Sequence, residues 1–387
     1  MKCKNSRQSD QLIKVTFANV NKWSRLLPDM NLYIDEMFYF GWFMKRSAFI
    51  KTTAFGATAF MVHTVCKYKP TSSIPIVNKR ERMLQWIEGK MTSGYTPAAF
   101  FIHFDSEHKL GPAAADKHIQ YFRATDMDFV KIQYEQEMQQ VDFIKKPADW
   151  SRWSPPGLEF YEPQLQAVRE IIKNLKKEAL VIMTIYSPFM SAGHAATKEA
   201  LLLHLEENPD AVKIGLDRMT ESQMLFVKEC IRLGVDGFYM STQGSETKQL
   251  SNPAIFSKYI KPTDLVAMTE AQARCPFNIL HVCDYHAPYA SYDAVLDYPG
   301  HVVNCNPQTK DRLYTWQEIQ ALFHRPCMGG LDRHGILGKG DPIVLKKEIS
   351  RVLQNAPKQF ILGADCTAPG DTDWKRLRLA IDQAHGV

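Results

Sequence analysis

His281 and Cys283 stand two residues apart in Ile279-Leu280-His281-Val282-Cys283, and Cys366 ends the run Phe360-Ile361-Leu362-Gly363-Ala364-Asp365-Cys366. On a β-strand, residues two apart point to the same side, so the imidazole and the first thiol can enter one site. One histidine and two thiolates suit Zn²⁺, and three protein ligands leave a fourth position for substrate, as in a catalytic zinc site. The competing reading is that all three are packed core residues, because unpaired cysteine is among the most buried residue types. Cys305 is either a rival or fourth ligand, or a buried thiol between Asn304 and Asn306. Cys230, Cys275 and Cys327 read as packing residues.

The elements that must carry these side chains are short apolar or β-branched runs at 98–104, 129–134, 180–186, 237–241, 278–282, 301–304, 328–331 and 359–363. Continuous apolar runs, rather than alternating ones, suit strands buried on both faces. Amphipathic helix patterns lie between them at 112–123, 164–177, 221–233, 316–323, 342–353 and 374–384. Asp341-Pro342 and Thr372-Asp373 supply helix-start signals. Eight strands alternating with helices predict an α/β chain folded as a single (β/α)8 TIM barrel over residues 77–387. No glycine-rich dinucleotide fingerprint follows the first strand, which argues against an open doubly wound sheet.

Chemistry in such a barrel belongs at the C-terminal ends of the strands. Those ends offer His103, Tyr134, Tyr186, Gln243 and Asp332 as substrate-binding candidates, beside His281, Cys283 and Cys366 as metal ligands and catalytic residues. Asp332 is expected to pair with Arg333 or to orient a ligand, and Gly329-Gly330 reads as a tight turn.

Composition narrows the partners. The 387 residues carry a net charge of +5, yet residues 1–76 alone hold 11 Lys/Arg against 4 Asp/Glu. The rest is near neutral, with 36 against 38, so no basic stripe there predicts nucleic-acid binding. Eight cysteines dispersed over this length make no disulfide framework, and a reducing, cytoplasmic location is expected. Residues 1–76 read as an N-terminal extension, or as residues upstream of a start at Met83. Its apolar stretch 47–66 is interrupted by Lys51 and begins too late for a signal peptide, so no stable membrane anchor is expected.

From residue 77 to the C-terminus the chain resembles the uroporphyrinogen decarboxylase superfamily, including its zinc- and cobalamin-dependent methyltransferase branch. The resemblance is carried by Lys79-Arg80-Glu81-Arg82-Met83-Leu84, Thr125-Asp126-Met127-Asp128-Phe129-Val130-Lys131 and Val235-Asp236-Gly237-Phe238-Tyr239-Met240-Ser241-Thr242-Gln243-Gly244. It continues in the His281 and Cys366 segments, in Gly329-Gly330-Leu331-Asp332 and in Thr367-Ala368-Pro369. The decarboxylases carry an arginine-rich motif after the first strand, an aspartate after the second and a histidine after the eighth. Here Phe101-Ile102-His103-Phe104-Asp105-Ser106-Glu107 lacks arginine, Gln133-Tyr134-Glu135 occupies the second position, and Cys366 replaces the histidine. The methyltransferase motif, His-x-Cys with a distant Cys, falls on His281, Cys283 and Cys366.

The resemblance therefore implies zinc-dependent transfer of a methyl group between a small methylated substrate or thiol and a corrinoid on a separate carrier protein. Two other readings stand beside it. One is a decarboxylase of a less acidic substrate, with Tyr134, Tyr186 and His103 arranging the carboxylate. The other is a non-catalytic corrinoid-binding barrel.

Overall fold

The structure, a computed structural model, describes residues 78–91 and 94–386. The expected N-terminal extension, with its apolar stretch 47–66, lies outside the described residues. Among these residues, β1 (Phe129–Ile132), β2 (Leu180–Ile185), β3 (Gly237–Thr242), β4 (Ile279–Val282), β5 (Val302–Cys305), β6 (Cys327–Leu331) and β7 (Phe360–Ala364) form one sheet. It is parallel throughout, and its strands follow one another in sequence order. Every strand residue is buried except the partly exposed Gly330. Burial on both faces explains why the strands read as continuous apolar runs.

The remaining expected strand, 98–104, is a correction. It makes isolated parallel bridges, Ala98 to Leu362 and Ile102 to Ala368, in place of a ladder. Ala99 N–H donates to Leu362 O at 3.0 Å, while Ala98 O accepts from Asp128 N–H, just before β1, at 3.0 Å. The segment thus touches both edge strands' ends, but the hydrogen-bonded sheet has seven strands and does not close as a regular eight-stranded barrel. The cause is local. Pro97 has no N–H to donate, and Ala98 N–H goes to the Asp128 carboxylate at 2.7 Å where a ladder would offer a backbone carbonyl. The same carboxylate accepts from His385 Nε2 at 2.8 Å and from the Tyr95 hydroxyl. One buried aspartate therefore gathers the first stave, the entry to β1 and the C-terminal helix end.

The helices are α1 (Lys79–Ile87), α2 (Gly111–Thr125), α3 (Glu162–Leu175), α4 (Pro188–Ala196), α5 (Lys198–Glu207), α6 (Pro209–Leu233), α7 (Lys261–Arg274), α8 (Trp316–Phe323), α9 (Pro342–Gln354) and α10 (Trp374–Ala384). α3 buries Leu165, Val168, Ile171 and Leu175, the stripe its sequence spacing predicts. Asp341 caps α9 through Ile343 N–H at 2.8 Å, with Pro342 at the first helical position. α4, α5 and α7 escape sequence reading. In α4 the reason is plain: Phe189, Ser191, Ala192, Gly193, Ala195 and Ala196 are all buried, leaving no polar face to mark a period. No described helix is long and apolar enough to cross a membrane.

Gly329 and Gly330 lie inside β6, which corrects the tight-turn expectation. Gly330 has φ 111°, and a Cβ there would stand 2.5 Å from Val352 Cγ1 of α9. The glycine lets helix and strand approach in a backbone conformation that other residues adopt only with strain.

Asp264 on α7 is a second internal tie. Its buried carboxylate accepts from Thr242 Oγ1 at 2.7 Å and Tyr298 OH at 3.0 Å, and burial pushes its pKa from 3.8 up to about 7. Two outcomes follow from this packing. Gly330→Ala should lower the unfolding free energy by about 2–4 kcal/mol, read as a lower urea midpoint. Because Asp264 keeps its proton in the fold and releases it near pH 4 when unfolded, its contribution is greatest below pH 4 and is lost as pH rises toward 7. Asp264→Asn, which keeps an acceptor oxygen but cannot ionise, should flatten that decline in urea midpoints taken between pH 4.5 and 7.5. An unchanged slope would refute the assignment.

Candidate metal centre and its cavity

β4 delivers two of the three candidate ligands. His281 lies within the strand, paired in register with Ser241 on one side and Asn304 on the other. Cys283 follows the last strand residue, and its N–H donates to Thr242 O at 3.2 Å, so the ladder to β3 holds it for one more step. Tyr289 OH donates to the carbonyl of Cys283 at 3.2 Å and fixes the backbone where the strand ends. Cys366 lies two residues beyond β7. All three side chains are buried.

They meet. Cys366 Sγ lies 3.3 Å from His281 Nε2, and one donor atom from each of the three falls within 4.8 Å of the others. Zinc bonds of about 2.0–2.3 Å in a tetrahedron place donors roughly 3.5–3.8 Å apart, so small adjustments of side-chain torsion let one ion reach all three. His281 Nδ1 is buried without a hydrogen-bond partner, which leaves the imidazole short of one interaction in the protein alone. The Tyr239 ring stacks on His281 at 4.8 Å between centroids and restricts its rotation. Gln243 Nε2 donates to Cys283 Sγ at 3.2 Å.

The two sulfurs share charge unequally. The hydrogen bond from Cys366, with His281 beside it, holds Cys283 well below the usual thiol range. Cys366 is pushed up by that same contact and by burial. Two sulfurs this close oppose each other's ionisation, so one is favoured as the anion at the expense of the other.

The centre forms part of the wall of a cavity of about 420 Å³. His103, Tyr186 and Gln243 also line it, as does Lys131. His103 Nδ1 lies 2.8 Å from Glu135 Oε1, and Gln133 Nε2 lies 3.0 Å from its Nε2. Tyr134 is outside the lining. It packs edge-on against Tyr186 at 5.3 Å and against Phe226 at 5.7 Å. Asp332 is also outside: it is exposed and accepts from His334 N–H at 2.8 Å, while Arg333 turns away from it into the protein. The expected Asp332–Arg333 pairing is therefore replaced by bonds from Arg333 to Asp284 and Asp365. Cys305 is buried apart from the cluster, in hydrogen-bonding range of Tyr292, and burial pushes its thiol up.

Sequence reading missed two lysines that line the cavity, and a buried glutamate behind one of them. Lys131 on β1 is buried with its Nζ 4.7 Å from the ring centroids of both Phe101 and Tyr239, and it donates to Gln133 Oε1. Burial pulls it down to about 7. Its signal was a single cation inside the apolar run Phe129-Val130-Lys131-Ile132, since lysine is almost never fully buried without a reason. Lys198 lines the cavity with its Nζ 3.9 Å from Glu246, beyond hydrogen-bond reach. Burial pushes Glu246 up to about 7. Nothing in the local pattern marks that pair.

Comparison with known proteins places this architecture. No curated protein sequence matches the chain. Among solved structures, a methyltransferase from Methanosarcina mazei is 13% identical, with a TM-score of 0.63 over 80% of this chain and 98% of that one. A B12-independent methionine synthase from Shewanella sp. W3-18-1, in complex with selenomethionine, is 10% identical, with a TM-score of 0.44 over 76% of this chain and 95% of that one. The first likeness shows a shared fold. The sequence profile of uroporphyrinogen decarboxylase (URO-D) matches residues 127–387, from the start of β1 through the last helix. With every candidate ligand and both strands that carry them inside the matched region, the chain belongs to the uroporphyrinogen decarboxylase (URO-D) family.

Proposed function

We propose that the protein is a zinc-dependent methyltransferase of this family, moving a methyl group between a small methylated substrate or thiol and a corrinoid (cobalamin) held by a separate carrier protein. The observation that carries this reading is the convergence of His281, Cys283 and Cys366 on one point of a cavity wall. Two soft sulfurs and an imidazole are the donor set that zinc favours over magnesium or calcium. Bound there, zinc supplies Lewis acidity toward a thiol or a methylated heteroatom.

The chain's own residues supply position and surroundings. Tyr239 and Gln243 hold the imidazole and the first sulfur in place. Tyr186, Phe189 and Met190 give the cavity an apolar wall that accommodates a methyl group and keeps water from it. A volume of about 420 Å³ suits a small molecule. Among the described lining residues the lysines are Lys131 and Lys198, and there is no arginine. That favours a small substrate over a tetrapyrrole bearing many carboxylates, which needs several bidentate partners. The corrinoid and its carrier enter through the resemblance of the His-x-Cys and distant Cys motif. All six described cysteines are unpaired, which supports a reducing, cytoplasmic setting. We take residues 77–387 as the catalytic unit, built on the barrel plan of the family.

Elemental analysis of the purified protein should give about one zinc per chain. Cys366→Ser should lose most of that zinc and reduce transfer between methylcobalamin and a thiol acceptor by about 100-fold or more, since an open catalytic site then retains two ligands. Cys305→Ser should change neither. Full methyl transfer after complete removal of zinc refutes the proposal, and conversion of uroporphyrinogen to coproporphyrinogen would assign the other chemistry of the family.

A further inference from the structure

Cys283 and Cys366 stand at the ends of β4 and β7, and β5 and β6 lie between those strands in the sheet. No shared ladder sets their separation. Small differences in twist and stagger across two intervening strands would move the sulfurs by more than a metal site tolerates, since bond lengths to zinc vary by only about 0.2 Å. Something must tie the two strand ends directly.

Arg333 does so. It follows β6, between the two, and is 8% exposed. Its Nη1 lies 2.9 Å from Asp284 Oδ1 and 2.5 Å from Asp365 Oδ2, and its backbone N–H donates to Asp365 Oδ1 at 2.7 Å. Asp284 is the residue immediately after Cys283, and Asp365 is the residue immediately before Cys366. Asn306 Nδ2, just past β5, donates to the other oxygen of Asp284 at 2.8 Å. A single guanidinium nitrogen is thus shared by two carboxylates, each one peptide bond from a sulfur ligand.

We infer that Arg333 is a positioning residue, a brace that sets the distance between Cys283 and Cys366 and so shapes the metal site without touching the metal. The inference rests on the reading of these cysteines as zinc ligands. Removing the guanidinium would leave two carboxylates, Asp365 buried and Asp284 half-buried, facing each other within the span of one nitrogen, and their repulsion would drive the two strand ends apart. Buried charge of this kind adds little to stability compared with apolar packing. Its use is to specify one geometry.

The test uses the full chain with zinc and with cobalt(II) as a spectroscopic probe. In Arg333→Gln, chelator competition should show zinc binding weakened about 10–100-fold, the range for loss of a group that orients ligands. The visible cobalt bands should shift or lose intensity, because they report the number and arrangement of thiolates. A purely structural brace would lower the melting temperature and leave the spectrum of the folded protein unchanged. Arg333→Lys, which restores the charge but not the planar guanidinium, should recover part of the affinity. If Arg333→Gln fails to fold, Asp284→Asn decides the matter: it preserves shape and the Arg333–Asp365 bond, and should still alter the cobalt spectrum. Wild-type affinity within about twofold and an unchanged spectrum in the folded variants would overturn the brace alone. Failure of the wild-type chain to bind either metal would overturn the zinc reading and the brace with it.

Discussion

The candidate centre depends on contact between groups that the sheet does not pair. His281 and Cys366 come within 3.3 Å of each other, although two strands separate their own. Parallel ladders hold nearest neighbours at about 4.8 Å, so strands three places apart meet only where the sheet curls and the side chains at one end point inward. The flanking carboxylates and Arg333 occupy the same end of the sheet. At the start of the segment 98–104, which makes only isolated bridges, Asp128 draws Ala98 and His385 together. Both ties are polar and buried, and both stand where backbone pairing is interrupted.

The interior carries more charge than packing requires. Lys131 lies between two aromatic rings, which repay part of its desolvation through their negative faces. Glu246 and Asp264 are buried carboxyls pushed up to about 7. Their settings differ. Asp264 joins β3 to α7 and to the β4–β5 connection through Thr242 and Tyr298, a structural use. Lys131 and Lys198 face the cavity, where a cation held down by burial gains a ready partner if the molecule that enters is anionic. Perturbed groups gathered at a cavity are a frequent mark of function, whereas isolated ones more often serve the fold.

The cavity and the candidate centre also divide the labour of the side chains. Gln243 serves the site by its hydrogen bond to Cys283, and His103 belongs to a separate polar group with Gln133 and Glu135. Tyr134 supports Tyr186 from behind. Polar residues at strand ends thus fall into three places: on the His281–Cys283–Cys366 cluster, on the cavity wall, and in the packing behind it.

Much of this was legible in the residues themselves. Seven strands form within two residues of the expected bounds, because burial on both faces writes itself as an uninterrupted apolar run. The His281–Cys283 pair was legible for the same reason: once Ile279–Val282 is a strand, period two puts both on one side. The stretch 98–104 reads equally apolar, yet its ladder is lost to Pro97 and to the Asp128 side chain, a partner 30 residues away in sequence that no local pattern reveals. α4 was hidden because most of its side chains are buried, which leaves no polar face to mark a helical period. Sequence alone determined which residue types stand at which strand ends, since that follows from short-range periodicity. The tertiary structure brought Cys366 beside His281 as the sequence reading expected, and it alone decided how close they come and that Arg333 rather than Asp332 turns inward. Those choices hang on the curl of the sheet and on charges meeting across it, and neither is encoded within the span of a single element.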